Sequence, residues 1–124
     1  MSKPVAVAPG RDEVACCAPL SQERIEPDVA DELSRAFKAL GDPIRLRLMS
    51  MIASAPGGEA CVCDLTPPFT ISGQTISHHL KVLREAGLVD AERRASWVYY
   101  RARPGLLRQL SALLDPGVTA GAKG

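Results

Sequence analysis

From Val29 the apolar residues fall at Val29, Leu33, Ala36, Phe37 and Leu40, the i, i+4, i+7, i+8, i+11 stripe of an amphipathic helix that Gly41 ends. Asp42 followed by Pro43 is a start signal, a carboxylate at the N-cap with proline at the first helical position. Ile44, Leu48, Met51 and Ile52 carry a second buried face to about Ser54. APGGEA is a loop, and CVCDL after it predicts a short third helix that Pro67 and Pro68 must stop. Ser72 is a good N-cap for a fourth helix, SGQTISHHLKVLREAG, with Ile76, Leu80 and Leu83 on one face and Gly87 closing it. LVDAERR and WVYYRAR flank Ala95 and Ser96 and mix aliphatic, aromatic and charged residues at partial alternation, a β-hairpin pattern. Pro104 starts a last helix whose leucines, Leu106, Leu107, Leu110, Leu113 and Leu114, cover more than one stripe. One small core cannot bury them all, so a second copy of the chain is expected to cover the remainder.

This order leaves 124 residues as one domain with tails. Residues 1–27, rich in Pro, Ala and acidic side chains and without a sustained period, read as a mobile arm. The folded domain is expected over 28–115, and 116–124 read as a disordered tail. No apolar run approaches the ~18 residues of a membrane span, and the first ten residues lack a signal-peptide core, so a cytoplasmic protein without a membrane partner is expected. There is no internal repeat, no phosphate-cradling glycine loop and no HExxH pattern. An organic cofactor and an enzymatic role are therefore not expected.

Charge changes the picture of the fourth helix and the hairpin. The net charge is only +1, yet Arg11 to Arg35 holds three basic and seven acidic residues, whereas Ser72 to Arg103 holds six basic and three acidic. Two short helices, a longer helix with a polar face and a basic hairpin follow one another as in a winged helix-turn-helix, a mainly α fold with a β-hairpin wing. With Ile76, Leu80 and Leu83 inward, the outward set is Ser72, Gln74, Thr75, Ser77, His78 and Lys81. Gln pairs bidentately with adenine, Ser and Thr serve several bases or phosphates, and Lys81 reaches phosphate. An ordinary solvated face would mix Glu with Lys, but no acid stands between Ser72 and Lys81, which favours double-stranded DNA. On the hairpin, Arg93, Arg94 and Arg101 are the candidate backbone contacts. His78 and His79 invite a metal reading, but adjacent helical positions point about 100° apart and do not converge on one ion. His78 is expected to face DNA and His79 to pack at an interhelix edge.

Four cysteines stand as two close pairs, Cys16 with Cys17 and Cys61 with Cys63. In a reducing compartment, metal ligands or redox-active thiols come before structural disulfides. One of Cys61 and Cys63 could be a small buried hydrophobe, whereas a vicinal pair on a polar arm has no core to fill.

The run FKALGDPIRLRLM, then CVCDL, then SGQTISHHLKVLREAGLV, then RRASWVYYR, resembles the ArsR/SmtB family of metal-sensing bacterial repressors over about residues 29 to 114. The resemblance implies a homodimer, built mainly on the first and last helices, that represses its operator and releases it when metal binds. One pattern of that family places acidic and histidine zinc ligands on the last helix, but PGLLRQLSALLD contains no histidine. Thiolates remain, and they suit As(III) or Sb(III) with three sulfurs, or Cd(II), Pb(II) or Zn(II) with three or four. CVCDL is similar to the arsenic-sensing motif CVCDLC, except that Thr66 stands at the last position. On a regular helix Cys61 and Cys63 would point about 200° apart, so they share an ion only if the helix start unwinds. The remaining donors would then come from Cys16 and Cys17, so that the two pairs are halves of one site, with As(III) or Sb(III) as the inducer on Cys16, Cys17 and at least one of Cys61 and Cys63, and Cd(II), Pb(II) or Zn(II) on all four thiols as the alternative. Two other readings stay open: a regulator switched by a disulfide, and a small dithiol oxidoreductase.

Overall fold

The computed structural model describes residues 18–116. They fall in two compact units, one of Ser34–Arg103 and one formed by the chain up to Leu33 with the chain from Pro104 on. The helices are α1 (Pro27–Leu40), α2 (Pro43–Ser54), α3 (Val62–Leu65), α4 (Gly73–Glu85) and α5 (Pro104–Leu114). The strands are β1 (Glu59–Cys61), β2 (Val89–Arg94) and β3 (Trp97–Ala102).

Each helix begins and ends where local chemistry dictates. The Asp42 carboxylate accepts from the backbone N–H groups of Ile44 and Arg45 at 3.0 and 3.1 Å, and Pro43 follows it. Ser72 caps α4 by accepting from the Thr75 N–H at 3.2 Å. At the far end of α4 the Leu88 N–H reaches the Leu83 carbonyl and the Gly87 N–H the Arg84 carbonyl, both at 3.0 Å. Gly87 has φ 84°, so this is a Schellman close that needs a residue free of a Cβ penalty.

Within Ser34–Arg103, Leu48 and Ile52 of α2, Leu65 of α3, Ile76, Leu80 and Leu83 of α4, and Leu88 and Val89 leading into β2 are fully buried. Leu48, Ile52, Ile76, Leu80 and Leu83 lie on the stripes the spacing predicts, whereas on α2 Met49 is buried and the expected Ile44 and Met51 are only half-buried. In the other unit Leu33, Leu110 and Leu113 are buried, while Leu20 and Leu114 remain about half exposed. Residues 18–26, assigned to the arm by sequence, are tied down here. The Leu20 N–H donates to the Leu113 carbonyl at 2.9 Å, and the Ser21 hydroxyl to the Pro116 carbonyl at 2.8 Å.

The sheet departs from the expected two-stranded hairpin. It has three antiparallel strands in the order β1-β3-β2, with Glu59 opposite Arg101, Ala60 opposite Tyr100 and Cys61 opposite Tyr99. Three residues show no alternation on their own, so the sequence pattern places Glu59 and Ala60 in a loop and Cys61 at the start of the third helix. A two-residue turn at Ala95 and Ser96 joins β2 to β3, and Ala95 sits at φ 57°, uncommon for a residue with a Cβ.

The short α3 carries little hydrogen bonding of its own, so its position rests on Leu65, which is 1% exposed. Leu65→Ala is expected to cost ~2–5 kcal/mol of stability. A shift of the urea midpoint corresponding to under about 1 kcal/mol would show that α3 is anchored elsewhere.

Candidate functional site

Cys61 ends β1 and also begins α3. Its backbone is extended, φ −74° and ψ 144°, and its Sγ accepts from the Cys63 N–H at 3.1 Å as the N-cap of the helix. Helical geometry therefore starts at Val62, and the divergence expected of two cysteines on one regular helix does not arise. The two Cα atoms lie 5.1 Å apart and the sulfurs are bonded to each other in a disulfide. Sequence placed that pairing last. A bridge across two residues closes a loop too short to restrain the chain much, so it is no staple. What it demonstrates is convergence: one backbone turn brings both sulfurs to one point. Cys61 is 3% exposed and Cys63 is exposed, so one sulfur lies in the protein and the other faces outward. Thr66, where CVCDLC has its third cysteine, donates its hydroxyl to the Val62 carbonyl at 3.0 Å and caps the helix end.

Among the described residues no group of three or more His, Cys, Asp or Glu side chains is placed to hold a metal ion. Cys61 and Cys63 offer two sulfurs, of the soft type that As(III), Sb(III), Cd(II) and Pb(II) take, and only once reduced. Cys16 and Cys17 lie outside the described residues.

On α4 the outward residues sort into two groups. Ser72 and Thr75 are engaged in the cap, with their hydroxyls 3.0 Å apart. Gln74, Ser77, His78 and Lys81 form an exposed i, i+3, i+4, i+7 stripe, and among the described residues Gln74, Ser77 and Lys81 have no side-chain hydrogen-bond partner. His79 turns inward, with its side chain 13% exposed. Its Nδ1 lies 3.3 Å from Arg45 Nη1 and 4.0 Å from the Asp42 carboxylate.

The hairpin arginines do not share one environment. Arg93 is exposed and has no ion pair among the described residues. Arg94 and Arg101 both bind Glu59, a residue that sequence reasoning passed over because it stands 35 and 42 positions away and carries no local signal. Hydrogen bonds from Arg94, then from Arg101, lower the Glu59 carboxyl to about 2. Glu92 is lowered by its own bond from Arg94, and Asp42 by the Arg45 backbone N–H.

A helix with a free polar stripe, preceded by a short helix and followed by a charged hairpin, is a DNA-reading geometry, and sequence comparison agrees. Residues 42–91 match the model of the arsR family of bacterial regulatory proteins. The chain is 35% identical over 78 residues to the arsenical resistance operon repressor of Bacillus subtilis, covering 63% of this chain and 72% of that protein. The chain belongs to the arsR family. To the arsenic resistance transcriptional regulator ArsR1 of Pseudomonas putida it is 43% identical over 84 residues, 68% of this chain and 64% of that regulator's length. A solved homodimeric winged helix-turn-helix DNA-binding domain from Mycobacterium bovis superposes with a TM-score of 0.59 at 28% identity, covering 73% of this chain and 83% of that one. The winged helix-turn-helix expected from sequence is thus the fold of this arsR-family chain, and its family is one of regulators. No helix among the described residues is long and apolar enough to cross a membrane.

Acid should test the hairpin first. A carboxylate whose folded value is depressed stabilises fully above its unfolded value, and that stability is lost as pH falls through the folded value. For Glu59 the window runs from the ordinary carboxyl value of 4.5 down to about 2. The melting temperature should hold from about pH 8 to 5 and fall below that, less steeply in Glu59→Gln. Parallel acid profiles for the two proteins would show that Glu59 contributes no such linkage.

Proposed function

We propose that this protein is a transcriptional repressor of the cytoplasm that binds operator DNA as a homodimer and is released by As(III) or Sb(III) held on cysteine thiolates. The observation that carries the reading is the convergence of Cys61 and Cys63 at the start of α3, in the helix-turn-helix that leads to α4. Reduced, they supply two thiolates, and Cys16 and Cys17 supply the remainder from residues 1–27. Three sulfurs suit a trivalent metalloid; use of all four would suit Cd(II), Pb(II) or Zn(II). The names of the Bacillus and Pseudomonas relatives favour arsenic.

Base reading is assigned to Gln74, Ser77 and His78, with Ser72 and Thr75 positioning the helix end, and Lys81 and Arg93 on phosphate. The two-copy assembly is supported by the homodimeric Mycobacterium domain and by the exposure of Leu20 and Leu114 in the unit that contains α5. A second reading has its own support: Cys61 and Cys63 are bonded here, so an oxidant could set the switch instead.

Two experiments separate these. On a duplex selected by the protein from a random pool, Gln74→Ala and Ser77→Ala should lose ~1–3 kcal/mol of preference over random DNA, whereas Arg93→Ala should weaken both alike. Equal losses for the helix variants would remove the base-reading role. With reduced protein on the same duplex, As(III) should release wild type but not the Cys61→Ser, Cys63→Ser double variant, nor the Cys16→Ser, Cys17→Ser one. Release by a thiol oxidant alone, with no response to As(III), Sb(III), Cd(II), Pb(II) or Zn(II), would replace the metal reading with the redox one.

A further inference from the structure

Glu59 holds two of the three arginines that the hairpin was expected to offer to DNA. Its Oε2 accepts from Arg94 Nη1 at 2.8 Å and its Oε1 from Arg94 Nη2 at 2.9 Å. The same Oε1 accepts from Arg101 Nη2 at 2.8 Å and Nε at 3.3 Å. Paired parallel bonds of this kind are how a guanidinium also grips phosphate. Glu92 adds a carboxylate 2.9 Å from Arg94 and 3.9 Å from Arg101, while the Arg94 guanidinium lies over the Tyr99 ring at 4.4 Å. Two carboxylates thus balance two guanidiniums, and Arg103 is paired with Asp90 at 3.5 Å.

The cluster is not sealed. The Arg101 and Glu92 side chains are 56% and 58% exposed and Arg94 is 38% exposed, so an arriving anion can reach the donors. Ion pairs this wet are weak in net terms, and exchanging one acceptor for another costs little. Joining β1 to β3 does not require them either, because the backbone register from Glu59 to Cys61 already pairs the strands.

We propose that Glu59 acts as an internal stand-in for a DNA phosphate: it competes with the backbone of the duplex for Arg94 and Arg101, and so sets how much the wing contributes to affinity. This rests on the DNA-binding part of the proposed function and is independent of the inducer.

The test uses the full reduced chain and a random-sequence duplex, with binding followed by fluorescence anisotropy across a salt series. Wild type should show a shallow salt slope from this hairpin. Glu59→Gln should bind several-fold tighter at low salt, with the slope of log affinity against log salt steeper by about 0.9 for each arginine freed. Adding Arg94→Gln and Arg101→Gln to that variant should take the gain away. A folded Glu59→Gln with an unchanged or shallower slope would overturn the proposal. If Glu59→Gln does not fold, the exposed Glu92→Gln takes its place: a smaller steepening upholds the proposal and an unchanged slope overturns it. Wild type that binds no duplex at any salt would refute the DNA reading as well, whereas binding with no effect of either variant refutes the Glu59 inference alone.

Discussion

The extended backbone of residue 61 is the constraint from which the candidate site follows. At φ −74° and ψ 144° Cys61 completes the last rung of β1 opposite Tyr99, turns its sulfur to the Cys63 N–H, and lets α3 begin one residue later. Were residue 61 helical, its side chain would lie about 200° from that of Cys63, and no ion could touch both. The rung would be lost as well, and with it the position of Glu59 beside Arg94 and Arg101. One backbone conformation thus brings the sulfurs together and places the carboxylate that balances the wing.

The same strand connects two kinds of chemistry. Cys61 and Glu59 are alternate residues of β1, so they share a face of the sheet, where they stand opposite Tyr99 and Arg101. Across β3 this face continues to Glu92 and Asp90. On α4 the arrangement is different: the exposed stripe of Gln74, Ser77, His78 and Lys81 carries one fixed charge, which suits discrimination between bases more than gross attraction to a polyanion.

Most of the fold was legible because its signals are local. Asp42-Pro43, Ser72 and Gly87 each satisfy backbone groups within a few residues, so the bounds of α2 and α4 follow from them. The stripes of buried leucine and isoleucine have the period of the helices they form. The inward turn of His79 and the outward turn of His78 follow from the same periodicity. β1 was not legible, since three residues become a strand only by pairing with β3, some forty positions on. For the same reason Arg94 and Arg101 looked free for DNA, and their shared partner Glu59 was missed. Cys61 and Cys63 were expected to meet only if the helix start unwinds, and helical geometry starts one position later, at Val62.

Cys61 and Cys63 are proposed to form half of a thiolate site that Cys16 and Cys17 complete. Arsenic-edge X-ray absorption on the reduced full chain with one equivalent of As(III) tests it directly. About three sulfur neighbours are expected in the wild type and one fewer in the Cys61→Ser, Cys63→Ser double variant, which keeps only Cys16 and Cys17. A first shell of oxygen, or a sulfur count that this double variant leaves unchanged, would refute that site.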